Sequence, residues 1–337
     1  DSFIFLAKLG MYFLLFIIGF ELDIRKVWES KFFIIKTTAA VIAAETFFGT
    51  LLVHYVFGVS WIISVLVASS FATVGEAVLL PILEEFGLIK TKLGQTILSI
   101  GVMDDLIEVA TIVFASVLVG YSAGYSSISI WFNLLILISL FLAIFLLIRF
   151  KSYFKSFKYK DISSLFLFLL FFIFAFIGIG GFVESAALGA LLAGIALRNI
   201  IPDKVLNYID SEIKTMSYGF FAPIFFLWVG VDTDVTFLIK FPLLVVLVML
   251  MTKTTKILTS YIMGRKELGG KKAILLGISL CVKFSTSIVI IKFLFEKGLI
   301  PSSLYSVLVG TTIAFKFVVP LLLSSLITRW KIGVSKG

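Results

Sequence analysis

Two adjacent carboxylates, Asp104 and Asp105, stand inside the apolar run 97–120 (ILSIGVMDDLIEVATIVFASVLVG), which is long enough to cross a lipid bilayer. A charged side chain at mid-membrane costs on the order of 3 kcal/mol on insertion scales, so such groups face a bundle interior and serve ion or proton pathways. Neighbouring residues on a helix point about 100° apart, so one carboxylate can be paired while the other faces a cavity. A carboxylate that titrates near neutrality holds either a proton or a small cation, and that competition is exchange chemistry in its simplest form. The bland reading of the same pair is a salt bridge that fixes helix packing. Glu108 lies on a neighbouring face of the same helix. It reads either as an extension of a proton route or as a structural hydrogen-bonding group.

Other ionisable residues embedded in apolar runs supply candidate partners: Lys8, Lys36, Lys253, Lys256, Lys283, Lys292 and Lys316 among the cations, Glu45 and Glu76 among the anions. Lys8, Lys36 and Lys292 stand near the ends of their runs and are expected to snorkel to the interface. Lys256, Lys283 and Lys316 lie deeper or beside interrupted segments. His54, at an outer loop edge, reads as an interfacial residue, and Trp28, Trp61, Trp131 and Trp330 read as interfacial anchors.

The elements that hold these groups follow from composition. Hydrophobic residues make up 60% of the 337-residue chain, charged residues 15%, and 37 positions are Phe; the mean hydropathy is +1.15. These values lie outside the range of soluble domains and predict an all-α polytopic membrane protein. At about 20 residues per span, eleven segments are predicted: 3–20, 32–57, 61–86, 93–120, 130–150, 162–182, 184–200, 213–230, 238–263, 271–295 and 302–328. The net charge of +9 does not mark a nucleic-acid binder, because the basic residues are segregated. Loops on one side carry twenty Lys and Arg, from Arg25 to Lys336, whereas the opposite loops carry Lys240 and Lys297. This asymmetry puts the basic side and the C-terminus in the cytoplasm of a multi-pass protein expected in the plasma membrane. The single cysteine, Cys281, offers no internal disulfide. The chain opens at Asp1 almost directly in a span, and N-terminal helices are expected before it.

An internal repeat organises the spans. Phe16–Ile24 (FIIGFELDI) resembles Leu227–Val235 (LWVGVDTDV), and Glu85–Ile89 (EFGLI) resembles Glu296–Ile300 (EKGLI), with one displacement serving both matches. That displacement shifts the chain by seven predicted spans, so the two copies insert in opposite orientation. Inverted repeats are the mark of many secondary transporters, whose sites form near the midplane between copies. One membrane transport domain is therefore expected over 1–337, with repeats at about 3–120 and 213–328 and linking helices at about 130–200. The third segment of the first copy (SFATVGEAVLLPILEEFG) carries Gly75, Glu76 and Pro81, and its counterpart (VKFSTSIVIIKFLFEKG) carries Lys283 and small hydroxylated residues. Both read as helices that break partway. Broken helices are tolerated at membrane depth where they line a cavity or are buried in protein, and their freed carbonyls and helix ends are natural cation ligands.

At these residues the chain resembles the monovalent cation:proton antiporter superfamily, especially its bacterial and archaeal sodium/proton and potassium/proton exchangers. The marks are LLFIIGFELD at 14–23, ATVGEAVLLPILEEFGL at 72–88 followed by GVMDDL at 101–106, ALGALLAGIAL at 187–197, PIFFLWVGVDTD at 223–234 and KILTSYIMG at 256–264. The resemblance implies an inverted-repeat fold with a dimerisation bundle and a mobile core built on two crossed discontinuous helices. It implies exchange of sodium, or of potassium, for protons by alternating access, in a homodimer, with no cofactor beyond the transported ions. Carried over residue by residue, Asp105 resembles the family's ion- and proton-binding aspartate and Asp104 its partner, so the monovalent cation is expected at these two. Thr73 resembles a residue that contributes oxygen near the ion, and Lys256 the basic residue that pairs with the first aspartate when no cation is bound. Lys283 stands where many relatives carry the arginine of an Arg-Gly-Glu motif, here Lys-Phe-Ser, and Glu76 where relatives have a small or apolar residue. Glu76 and Lys283 are expected to compensate each other across the crossed helices. Two aspartates in sequence lean towards electrogenic exchange.

Rival readings make distinct demands. A sodium-coupled symporter of an organic anion, with a related fold, needs a second cavity for its substrate. An intramembrane aspartyl protease needs two carboxylates facing each other from different helices, whereas Asp104 and Asp105 diverge. A cation channel would show a selectivity-filter repeat of the Thr-Val-Gly-Tyr-Gly kind, which is not visible. An enzyme is not expected.

Overall fold

The computed structural model describes residues 2–22, 32–74, 76–122, 162–181, 186–201, 203–282 and 285–332, with isolated positions at 139, 142, 146 and 149. Its elements are helices throughout. We label them α1 (Ser2–Glu21), α2 (Phe32–Phe57), α3 (Trp61–Ala72), α4 (Glu76–Glu85), α5 (Lys92–Ser122), α6 (Ile162–Gly181), α7 (Ala186–Ile200), α8 (Asp203–Lys214), α9 (Ala222–Val231), α10 (Val235–Lys240), α11 (Pro242–Leu268), α12 (Gly270–Ser279), α13 (Ser285–Glu296) and α14 (Ser302–Trp330). A π-helical stretch, Thr215–Phe221, joins α8 to α9.

Among the described residues, six helical stretches are long and apolar enough to cross a membrane, and α3 and α7 are shorter apolar helices. The predicted span 61–86 is divided into α3 and α4, and the predicted span 271–295 into α12 and α13. The first interruption falls where the sequence withholds helix-forming chemistry. Thr73 leaves α3 in an extended conformation (φ −70°, ψ 162°), and Pro81 lacks the amide that would bond one turn back, weakening the start of α4. Leu280 and Cys281 leave α12 through a tight turn. The predicted span 130–150 and Trp28 and Trp131 lie outside the described residues.

The chain forms two compact units, 1–23 with 112–231, and 24–111 with 232–337. In the first unit α1 packs against α7 through glycines. A methyl group on Gly19 would sit 2.1 Å from the Leu191 carbonyl oxygen, and one on Gly194 would sit 2.1 Å from that of Phe16. Hydrogen at those positions lets the backbones approach, which is how helices associate tightly in lipid. Phe13 stacks on Phe221 at 4.2 Å, and Lys214 bridges Glu21 at 3.2 Å and Asp210 at 3.1 Å.

The second unit contains both interruptions and the long helices α2, α11 and α14 that enclose them. Leu79, Leu83 and Val74 from the first break pack in one apolar cluster with Leu280, Val282 and Phe315. Gly277 admits α12 to α11 at the level of Lys256, since a methyl group there would lie 2.5 Å from Ile257 Cα. Both α4 and α13 end on a left-handed glycine, Gly87 (φ 64°) and Gly298 (φ 67°). In each the amide of the residue after that glycine closes back on the helix, Leu88 to the Leu83 carbonyl at 2.7 Å and Leu299 to the Leu294 carbonyl at 3.0 Å. This is the glycine-terminated helix cap, and it explains physically why EFGLI and EKGLI recur.

Candidate functional site

The ends of the half-helices converge on one lysine. Lys256, on α11, is wholly buried, and its Nζ donates to the Ala72 carbonyl at 2.7 Å and to the Leu280 carbonyl at 2.6 Å. Those are the carbonyls at the C-terminal ends of α3 and α12, where an interrupted helix leaves its acceptors and the negative end of its dipole. Glu45, buried on α2, brings Oε2 to 3.1 Å from the same nitrogen. An ammonium has three N–H groups and no acceptor, and three oxygens face it here. Desolvating such a charge is tolerated because it is paired and hydrogen-bonded.

Asp104 occupies the opposite electrostatic pole. It is buried on α5 and its Oδ2 accepts the backbone N–H of Val74, the amide that follows the break and precedes α4. A helix N-terminus offers free amides and partial positive charge, which favours an anion. Each interruption thus presents a cation-binding and an anion-binding end, and Lys256 and Asp104 are placed accordingly. Thr73 Oγ1 donates to the Ser70 carbonyl at 3.0 Å and lies 3.0 Å from Ser287 Oγ on α13. Since the Thr73 proton is used on Ser70, Ser287 donates to Thr73. Glu108 is buried one turn beyond Asp104.

Of the residues singled out in the sequence, Asp104, Thr73 and Lys256 are thus gathered around the first break. Asp105 lies on α5 and Glu76 at the first turn of α4, but their side chains, and residue Lys283 altogether, lie outside the described residues. The sequence marks Glu45 only as an embedded charge, and the structure gives it a specific contact. The one available signal was its place as the acidic residue of an otherwise uncharged stretch of α2.

The lysines expected at the interface divide. Lys8 and Lys36 are exposed, as snorkelling requires. Lys292 is wholly buried instead. It pairs with Asp232 and, at 2.7 Å, with Glu296, and lies 5.2 Å from the Phe295 ring centroid and 5.6 Å from that of Tyr305. Two carboxylates and two ring faces compensate the charge locally, so the side chain has no need to reach water.

A cavity of about 610 Å³ opens beside this site in the same unit, lined by α2, α3 and the Met103 and Ile107 face of α5. Its walls are apolar apart from Thr38, Thr46 and Thr50. The hydroxyls of Thr46 and Thr50 are buried without a hydrogen-bond partner.

The sequence profile of the family described as "Sodium/hydrogen exchanger, transmembrane" matches residues 1–329. The chain is 24% identical over 327 residues to a Na(+)/H(+) antiporter of Enterococcus hirae, covering 94% of this chain and 83% of that protein. It is 26% identical over 333 residues to the probable Na(+)/H(+) antiporter 3 of Methanocaldococcus jannaschii, covering 94% and 81%. It is also 24% identical over 276 residues to the glutathione-regulated potassium-efflux system protein KefC of Escherichia coli, covering 79% of this chain and 43% of that protein.

Proposed function

The chain belongs to the sodium/hydrogen exchanger family, and on that premise we propose that it exchanges a monovalent cation, sodium in preference to potassium, for protons by alternating access. It is a multi-pass membrane transporter and not an enzyme. The observation that carries the reading is the paired break: Lys256 on the freed carbonyls of Ala72 and Leu280, with Asp104 on the freed amide of Val74. Charged groups and open backbone at membrane depth are the materials of an ion site.

In this mechanism Asp105, with Asp104 beside it, releases its proton and takes up the cation. Thr73 and neighbouring oxygens replace the ion's water, and Lys256 supplies the positive charge that balances the aspartates when the cation has left. The unit holding the breaks then moves as a rigid core to expose the site on the other side. Glu76 and Lys283 serve as mutually compensating charges flanking the two breaks. The protein works as a homodimer in the plasma membrane with its C-terminus in the cytoplasm.

The inverted repeat is supported by the backbone. The displacement that carries Phe16 onto Leu227 also carries Gly58 onto Gly269 and Gly87 onto Gly298, and these four are the positive-φ glycines of the described residues. The same displacement brings α2, α4 and α5 onto α11, α13 and α14 within a few residues at each end.

The symporter reading finds less support. An organic anion needs a cationic group in its pocket, and the residues lining the 610 Å³ cavity include none. The deciding experiment is proton flux in proteoliposomes with an internal pH-sensitive dye and sodium or potassium added outside. Cation-triggered proton movement that is lost in Asp105→Asn is the expected result. No such movement in folded wild-type protein would sink the exchange reading.

A further inference from the structure

Several buried hydroxyls in the second half of the chain share one habit. Ser279, Thr311 and Thr312 each donate to the carbonyl one turn back in their own helix, to Leu275 at 2.9 Å, Val307 at 2.7 Å and Leu308 at 2.9 Å. Ser287 departs from it. It lies in the first turn of α13, which starts at Ser285, so no carbonyl of its own helix stands one turn behind it. Its Oγ, in a residue 1% exposed, instead meets Thr73 Oγ1 at the first break, 3.0 Å away. Because the Thr73 proton goes to the Ser70 carbonyl, Ser287 is the donor of that bond. A hydroxyl carries one proton and two acceptor lone pairs. Among the described residues nothing donates to Ser287 Oγ, so both of its lone pairs are unspent in a buried place. Buried polar atoms ordinarily have partners, and what satisfies an oxygen lone pair is a proton donor or a cation.

Resting on the exchange reading above, we infer that Ser287 is itself a ligand of the transported cation, the oxygen that the second break contributes to a site otherwise built from the first break and α5. The spacing suits this role. Two oxygens 3.0 Å apart can both touch one cation at the roughly 2.4 Å usual for oxygen ligands of a calcium-sized ion, and the ion takes lone pairs that the Ser287–Thr73 hydrogen bond leaves unused. The electrostatics suit it as well. Thr73 follows the carbonyl end of α3, where the helix dipole favours a cation. The amides at the start of α13 disfavour one, and the Asp104 carboxylate, which accepts from Val74 beside Thr73, offsets them. Cation affinity then depends on how the two breaks sit against each other, since each supplies one hydroxyl.

The test separates a ligand from a mere support for Thr73 by changing the hardness of the donor atom. Alkali cations prefer oxygen, whereas the soft thallium(I) ion accepts sulfur. Purified full chain in proteoliposomes is titrated with sodium, and with thallium(I) as transported ion or as competitor of sodium, while proton flux is read. Ser287→Ala is expected to raise the apparent KM for sodium about tenfold, the low end of what disturbing a metal's surroundings costs. Ser287→Cys keeps the size of the side chain and should shift the thallium-to-sodium affinity ratio about tenfold towards thallium relative to wild type. Ser279→Cys, a buried serine whose hydroxyl is spent on Leu275, should leave that ratio unchanged. An unchanged sodium KM in Ser287→Ala would overturn the proposal. So would equal losses of sodium and thallium affinity in Ser287→Cys, or a ratio shift of the same size in Ser279→Cys. If Ser287→Ala fails to fold, the ratio in Ser287→Cys decides. Folded wild-type protein in which no cation drives proton movement would instead remove the exchange reading, which separates the two failures.

Discussion

The hydroxyls of Thr73 and Ser287 lie 3.0 Å apart across 214 residues of chain, so the first break and the helix that follows the second break are joined by a direct hydrogen bond at the level of the site. A shared hydroxyl pair fixes where the Thr73 oxygen points. Any ion held by that oxygen is therefore positioned by both breaks at once.

Thr73→Val keeps the shape and removes the hydroxyl. A hydrogen bond of this kind contributes about 1 kcal/mol to stability, so losing the contacts to Ser70 and Ser287 should lower thermal stability modestly, and losing the oxygen proposed to face the cation should raise the apparent KM for it. Ser287→Ala should give a smaller effect, since Thr73 keeps its bond to the Ser70 carbonyl. Cation titrations of proton flux check both.

On the proposed pairing of Glu76 with Lys283, Glu76→Lys and Lys283→Glu should each abolish flux by leaving a charge without its counterpart. The two together should restore at least a tenth of wild-type activity. Failure of the double swap, in protein that migrates as a folded species, would argue against the pairing.

Gly19→Ala and Gly194→Ala should each destabilise the first unit by about 2 kcal/mol or more, the cost of forcing side-chain atoms into a packed helix contact. In each case the new methyl would meet a carbonyl oxygen at 2.1 Å. Gly178→Ala should be silent by comparison, as nothing lies within 4 Å of its would-be methyl. Thermal unfolding in detergent measures the difference.

Lys292→Met should destabilise by about 3 kcal/mol, because Asp232 and Glu296 lose the buried charge that compensates them. Lys92→Met, by contrast, removes an exposed contact to Glu267, with side chains 59% and 51% accessible, and should cost less than about 1 kcal/mol. Comparing the two melting shifts tests whether burial sets the strength of an ion pair in this chain.

Much of the architecture was legible before any coordinates. The bilayer imposes one hydrophobic length and the translocation machinery one charge bias, so spans such as 32–57 and 302–328 could be bounded from composition alone, and the helices Phe32–Phe57 and Ser302–Trp330 follow those limits closely. The breaks were legible for the same reason: Gly75, Pro81 and the small hydroxylated residues that follow Lys283 are local departures from helix-forming sequence, and helix formation is a local property. Asp104 and Lys256 stood out because a charge is conspicuous against an apolar background.

What a buried charge touches was not legible, and Lys292 shows why. From sequence its place near a segment end argued for an excursion to the interface; in the fold Asp232 and Glu296 reach it first. Contacts of this kind depend on which helix faces which, and that is decided by packing between elements far apart in the chain. Sequence alone determined that this is a helical membrane transporter with two interrupted spans and an aspartate pair. Only the tertiary structure decided that Lys256 would close on the carbonyls of Ala72 and Leu280 with Glu45 against it, because a hydrogen bond is made over about 3 Å and the residues that share it are brought together by the whole bundle.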